Sequence, residues 1–115
     1  MAKEASSAER LEWLKDTLYQ GSSAQLELPD EHLAELMFSD FDTGTWSFLH
    51  DKNLSFLLSR GLISEALSSR CRSIREHAIA AIETADRPVT GRMIRESSAW
   101  REIRRLCDEA LLLCP

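Results

Sequence analysis

Residues 46–83 read WSFLHDKNLSFLLSRGLISEALSSRCRSIREHAIAAIE. Two apolar-periodic runs meet at Gly61 and Ser64. A glycine just past such a run can adopt the left-handed conformation that ends a helix. A serine three residues later can accept the orphan N–H groups of the next helix's first turn. So short a link predicts two helices folded back on one another as an antiparallel pair. The remaining segments are long enough only to pack around that hairpin. The expected fold is therefore all-α, a bundle of about five to six helices in one domain spanning residues 1–115.

The rest of the chain reads the same way. There is one valine, Val89, against many leucines, and no segment alternates apolar and polar residues over strand length. Residues 1–6 precede the first helix signal and are expected to fray. Ser6 and Glu9 fit a capping box for a helix reaching about Tyr19, with Leu11, Leu14 and Leu18 on one face. Trp13 lies off that face, leaving two readings: a partner contact, or a ring tucked under the loop at 20–28. Pro29, Asp30 and Glu31 open a second helix with the stripe Leu33, Leu36 and Met37. The run from Asp40 to Gly44 reads as a turn. A third helix is expected over about 45–60, apolar over more than half its circumference through Trp46, Leu49, Leu54, Phe56, Leu57 and Leu58, with Phe48 inside the polar stripe. A fourth, from Glu65 to about Ala85, carries a narrow seam of Leu67, Cys71, Ile74, Ala78, Ala81 and Ile82. Asp86, Arg87 and Pro88 break the chain. Thr90 caps a short turn over 91–95, and the last helix buries Trp100, Ile103, Leu106, Cys107, Ala110 and Leu111. Trp46 and Trp100 are both expected in the core.

Chemistry is scarce. Three cysteines without CxxC spacing point to a reducing compartment, the cytoplasm, rather than to disulfides. No apolar run approaches the ~20 residues of a membrane span, and the first residues have no leader-like apolar core. No metal-ligand spacing or glycine-rich phosphate loop occurs, so no cofactor, metal or catalytic constellation is expected. Cys71 and Cys107 sit on apolar stripes and read as packing residues. His50 reads as a core-edge histidine with a local hydrogen bond rather than a general base.

Charge is more informative. Residues 1–59 carry eleven acids against four bases, a balance of −7, while residues 60–115 carry ten arginines against eight acids, a balance of +2. Glu27, Asp30, Glu31, Glu35, Asp40, Asp42 and Asp51 face only Lys52 in the sequence. They suit either plain solubility or a surface for a basic partner. Arg92, Arg95, Arg101, Arg104 and Arg105 flank a short helix, a turn and a longer helix, the outline of a helix-turn-helix. Acids interleave with them, and Arg104–Asp108 and Arg105–Glu109 are spaced as i,i+4 ion pairs.

Two segments resemble bacterial immunity proteins of contact-dependent growth inhibition systems. One is Trp46-Ser47-Phe48-Leu49-His50-Asp51-Lys52-Asn53-Leu54, leading to Leu58-Ser59-Arg60-Gly61-Leu62-Ile63. The other is Met93-Ile94-Arg95-Glu96-Ser97-Ser98-Ala99-Trp100-Arg101-Glu102-Ile103. With the helix between them, the resemblance covers residues 46–112. It implies a small cytosolic antitoxin that binds the toxin domain of its own system, and it carries over no binding residue. If that toxin is a nuclease its groove is basic, and the acid cluster is the complementary surface, with Trp13 a candidate anchor. The alternative is a nucleic-acid binder working through the five arginines.

Overall fold

The computed structural model describes residues 6–85 and 89–115, whose regular structure is helical with no strand among them. Of the fraying expected over residues 1–6, residues 1–5 fall outside the described residues, as does the chain break at 86–88, while Ser6 is held as the cap of the first helix. Seven α-helices follow in order: α1 Ser7–Gln20, α2 Asp30–Phe38, α3 Asp40–Ser47, α4 Asp51–Ser59, α5 Glu65–Thr84, α6 Gly91–Glu96 and α7 Ser98–Leu112. A 3-10 turn at Ser23–Glu27 joins α1 to α2.

The start and stop signals act as their chemistry dictates. Ser6 Oγ accepts the Glu9 N–H at 3.2 Å while the Glu9 carboxylate reaches back to the Ser6 N–H, closing the capping box. Ser64 and Thr90 cap α5 and α6 through their hydroxyls. Gly61 has φ 71°, in the left-handed region, and α4 turns back on α5 there. The widest contact in the fold, however, is between α5 and α7, whose seams supply Leu67, Cys71, Ile74, Ala78, Ile103, Cys107 and Ala110 to the core.

The structure departs from the sequence reading between residues 40 and 50. The expected turn at Asp40–Gly44 is helical, the first part of α3, and the expected single helix over 45–60 is two helices. Local side chains cause the break. Asn53 Nδ2 donates to the Phe48 carbonyl at 2.8 Å, and His50 Nδ1 accepts the Lys52 N–H at 3.1 Å, capping α4. Both bonds offer the backbone an alternative to a continuous helix. His50 is thus an N-cap, in keeping with its local hydrogen-bond reading. With the helix interrupted, the segments on either side rotate independently. Leu49 becomes fully buried, whereas Trp46, expected in the core, stands 50% exposed. Trp100 is buried as expected.

α3 also crosses close to α1. A Cβ placed on Gly44 would overlap the Thr17 hydroxyl and stand 2.8 Å from its methyl carbon. Thr17 is itself buried and β-branched, with its hydroxyl donating to the Trp13 carbonyl at 2.9 Å. The missing side chain at position 44 sets the α1–α3 spacing.

Candidate docking face

Trp13, Asp16 and Gln20 recur at i, i+3 and i+7, a row on α1 away from the buried Leu14 and Leu18. The close crossing at Gly44 brings Asp40 and Thr43 of α3 alongside that row. The break after α3 swings Phe48 against Trp13, with ring centroids 5.4 Å apart and planes tilted 35°. Together these side chains line a cavity of about 280 Å³. Across the Trp13–Phe48 pair lies a second, of about 350 Å³, lined by Trp46, Arg10, His50 and Lys52. A third, also about 350 Å³, adjoins the first at Asp40 and is lined by His32, Glu35, Leu36 and Ser39. The result is one face with an aromatic strip, Trp13–Phe48–Trp46, between an acidic flank and a basic one.

Of the two readings of Trp13, the structure gives a ring that leans on Phe48 and keeps 37% of its surface exposed. Trp46 is covered on one side by the Arg75 guanidinium, 5.3 Å from the ring centre. The neighbouring Phe56 lies between Arg10 and Arg60, at 4.3 and 5.0 Å. Arg10, Arg60 and Arg75 are thus already engaged with rings of the same chain.

The seven acids do not form one unopposed cluster. Asp30 meets Arg95 at 2.6 Å, and Asp51 meets Arg72 at 3.1 Å. Asp42 turns inward, and its Oδ1 is buried without a hydrogen-bond partner among the described residues. Glu27, Glu31, Glu35 and Asp40 remain exposed and free of ion pairs among the described residues. Only Glu35 and Asp40 reach the cavities just described. Arginine–acid pairing across distant segments cannot be read from local spacing, which is why Lys52 seemed the sole counterion.

Sequence reasoning also passed over Asp16, Phe48 and Trp46. The first two left a signal: Asp16 shares the off-stripe row of Trp13, and Phe48 is a large ring in a polar stripe. Trp46 left none, since its exposure follows from the helix break.

The arginines of the C-terminal third are largely engaged. Arg95 bridges Asp30 and the carbonyls of Leu26 and Leu28, tying α6 to the start of α2. Arg104, expected to pair with Asp108, instead donates to the carbonyls of Ile94 at 2.7 Å and Arg95 at 2.9 Å, capping the end of α6. Partial burial lowers its pKa from the ordinary value. Asp108 accepts the Ser23 N–H instead, at 3.0 Å. Arg105 binds Glu102 and, as the spacing predicted, Glu109. The hydrogen bond from Arg105 holds the Glu102 carboxyl below its ordinary range. Arg92 binds Glu96 at 3.3 Å, and Arg101 is exposed.

Among the described residues no three His, Cys, Asp or Glu side chains gather as metal ligands would. No described helix is long and apolar enough to cross a membrane. Comparison with protein-family models, curated proteins and solved structures finds no match for this chain.

Proposed function

We propose that this protein is an inhibitor that docks on a basic protein domain and blocks it, in the manner of the immunity proteins that residues 46–112 resemble. The partner is then the toxin domain of the same growth-inhibition system, and a nuclease toxin best suits the acidic side. One observation carries the reading: two exposed tryptophans, Trp13 and Trp46, flank the half-buried Phe48 and stand beside the carboxylates of Asp16, Glu35 and Asp40, which form no ion pair among the described residues. Large aromatic rings supply much of the energy in protein interfaces, and flanking charge sets approach and partner choice. No chemical step is assigned to the chain. The proposed work is occlusion.

The test is co-expression with the C-terminal domain of any large secreted protein encoded directly upstream. The inhibitor should restore growth and co-purify with that domain. A toxic domain that remains toxic and unbound in its presence overturns the reading.

The nucleic-acid alternative has weaker support, because Arg92, Arg95, Arg104 and Arg105 already hold carboxylates or helix carbonyls of this chain. In a gel-shift with generic DNA at low salt, no salt-sensitive retention is expected. Clear retention that disappears on adding salt would revive that alternative.

A further inference from the structure

The cavity between α1 and α3 has an unusual lining. Its walls carry two aromatic rings, Trp13 and Phe48, and two carboxylates, Asp16 and Asp40, together with Gln20 and Thr43. No lysine or arginine among the described residues lines it. Asp16 and Asp40 form no ion pair among the described residues, and the one hydrogen bond to Asp40 is a long one, 3.5 Å from the Ser39 hydroxyl. Elsewhere on this face the rings already carry guanidinium groups, Trp46 that of Arg75 and the half-buried Phe56 those of Arg10 and Arg60. The Trp13–Phe48 pair has the rings and the carboxylates, with no cation over it among the described residues.

Resting on the proposed function, we infer that this cavity receives an arginine side chain of the basic partner. A guanidinium is planar, so it stacks on an aromatic face while its edges donate to carboxylates. The arrangement here offers both at once. Gln20 Oε1 and Thr43 Oγ1, in the same lining, can serve as further acceptors. A lysine ammonium, a compact and strongly hydrated charge, exploits the stacking surface less well. The cavity therefore reads one residue type, and it anchors the partner at the junction of the acidic and aromatic parts of the face.

The probe is the blocked peptide acetyl-Gly-Arg-Gly-amide, with its uncharged citrulline isostere as control. Each is titrated into the full ¹⁵N-labelled chain while the indole N–H signals of Trp13, Trp46 and Trp100 are followed. The arginine peptide should shift Trp13 saturably, with weak affinity in about the millimolar range, and the citrulline peptide should bind about tenfold more weakly. Trp100, buried in the core, should not move and reports an intact fold. In the D16N/D40N double variant the response at Trp13 should be lost. Absence of a Trp13 shift, equal response to citrulline, or undiminished binding by D16N/D40N overturns the inference. The two proposals fail separately. A chain that binds the arginine peptide but leaves the toxin active overturns the inhibitor reading alone. One that neutralises the toxin but ignores the peptide overturns the arginine pocket alone.

Discussion

Gly44 shows how much one missing side chain can decide. Its place opposite the buried Thr17 lets α3 lie on α1 closely enough for Asp40 and Asp16 to border one cavity. Gly44→Ala should improve the helix propensity of α3 by ~1 kcal/mol. The overlap with Thr17, a stiff β-branched residue, is expected to cost about 1–3 kcal/mol and to win. Urea unfolding measures the balance, and a stabilised variant would show that α1 and α3 separate without penalty. The cysteines give a second residue-scale expectation. Burial pushes the Cys71 thiol up to about 12 from an ordinary 9.0 and raises Cys107 as well, while Cys114 is half-buried near the C-terminus. Under native conditions iodoacetamide should therefore modify Cys114 first, and Cys71 and Cys107 only after unfolding; mass spectrometry of the alkylated chain reads this directly. The same shift fixes a pH dependence. A raised folded pKa leaves its contribution intact below the unfolded value of about 9, and that contribution is lost as pH climbs from 9 towards 12. The thermal midpoint should fall across that window, and fall less in Cys71→Ala.

At the scale of elements, the instructive segment is the junction of α3 and α4. Periodicity joined them because Trp46 and Leu49 fall on the same helical arc as Leu54, Phe56, Leu57 and Leu58, on either side of the polar run at 50–53. What periodicity does not weigh is a side chain competing for a carbonyl. The amide of Asn53 holds the Phe48 carbonyl, and the imidazole of His50 caps the following turn. Asn53→Ala removes the first of these at a nearly buried position. It should destabilise the fold by about 1–2 kcal/mol and shift the tryptophan emission, because the orientation of Trp46 and Phe48 depends on the break. An unchanged spectrum would mean that packing alone holds the break open. α6 and α7 make a contrasting case. They have the outline of a DNA-reading pair, but Arg104 closes the end of α6 from within and Arg95 staples α6 to the start of α2.

For the whole molecule, the uneven charge of the sequence survives folding in reduced form. Asp30 and Asp51 are neutralised by arginines from the other half of the chain, while Glu31, Glu35 and Asp40 keep their charges exposed. Charge reversal of those three to lysine, E31K/E35K/D40K, should slow association with a basic toxin by about tenfold at low salt and flatten the salt dependence, with little effect on dissociation. Trp46→Ala should do the opposite and speed dissociation, as loss of an aromatic anchor does. Stopped-flow kinetics separates the two. Equal rates for the charge-reversed and native chains would remove the acidic flank from the binding mechanism.

Sequence by itself determined the helical class, the caps at Ser6, Ser64 and Thr90, the stop at Gly61 and nearly all of the core. Those features depend on residues three or four positions apart, and helix geometry makes such residues neighbours whatever the rest of the chain does. It also supplied Trp13 as a ring off the apolar stripe and Asp40 as an exposed acid. Only the tertiary structure decided which acids keep their charge, because the guanidinium that neutralises Asp30 lies 65 residues away. Only it turned Trp46 outward, through a break made by two local hydrogen bonds in competition with a continuous helix. And only the approach of α3 to α1 over Gly44 placed Asp16, Trp13, Phe48 and Asp40 around one cavity, since two helix faces become a site only once their crossing is fixed.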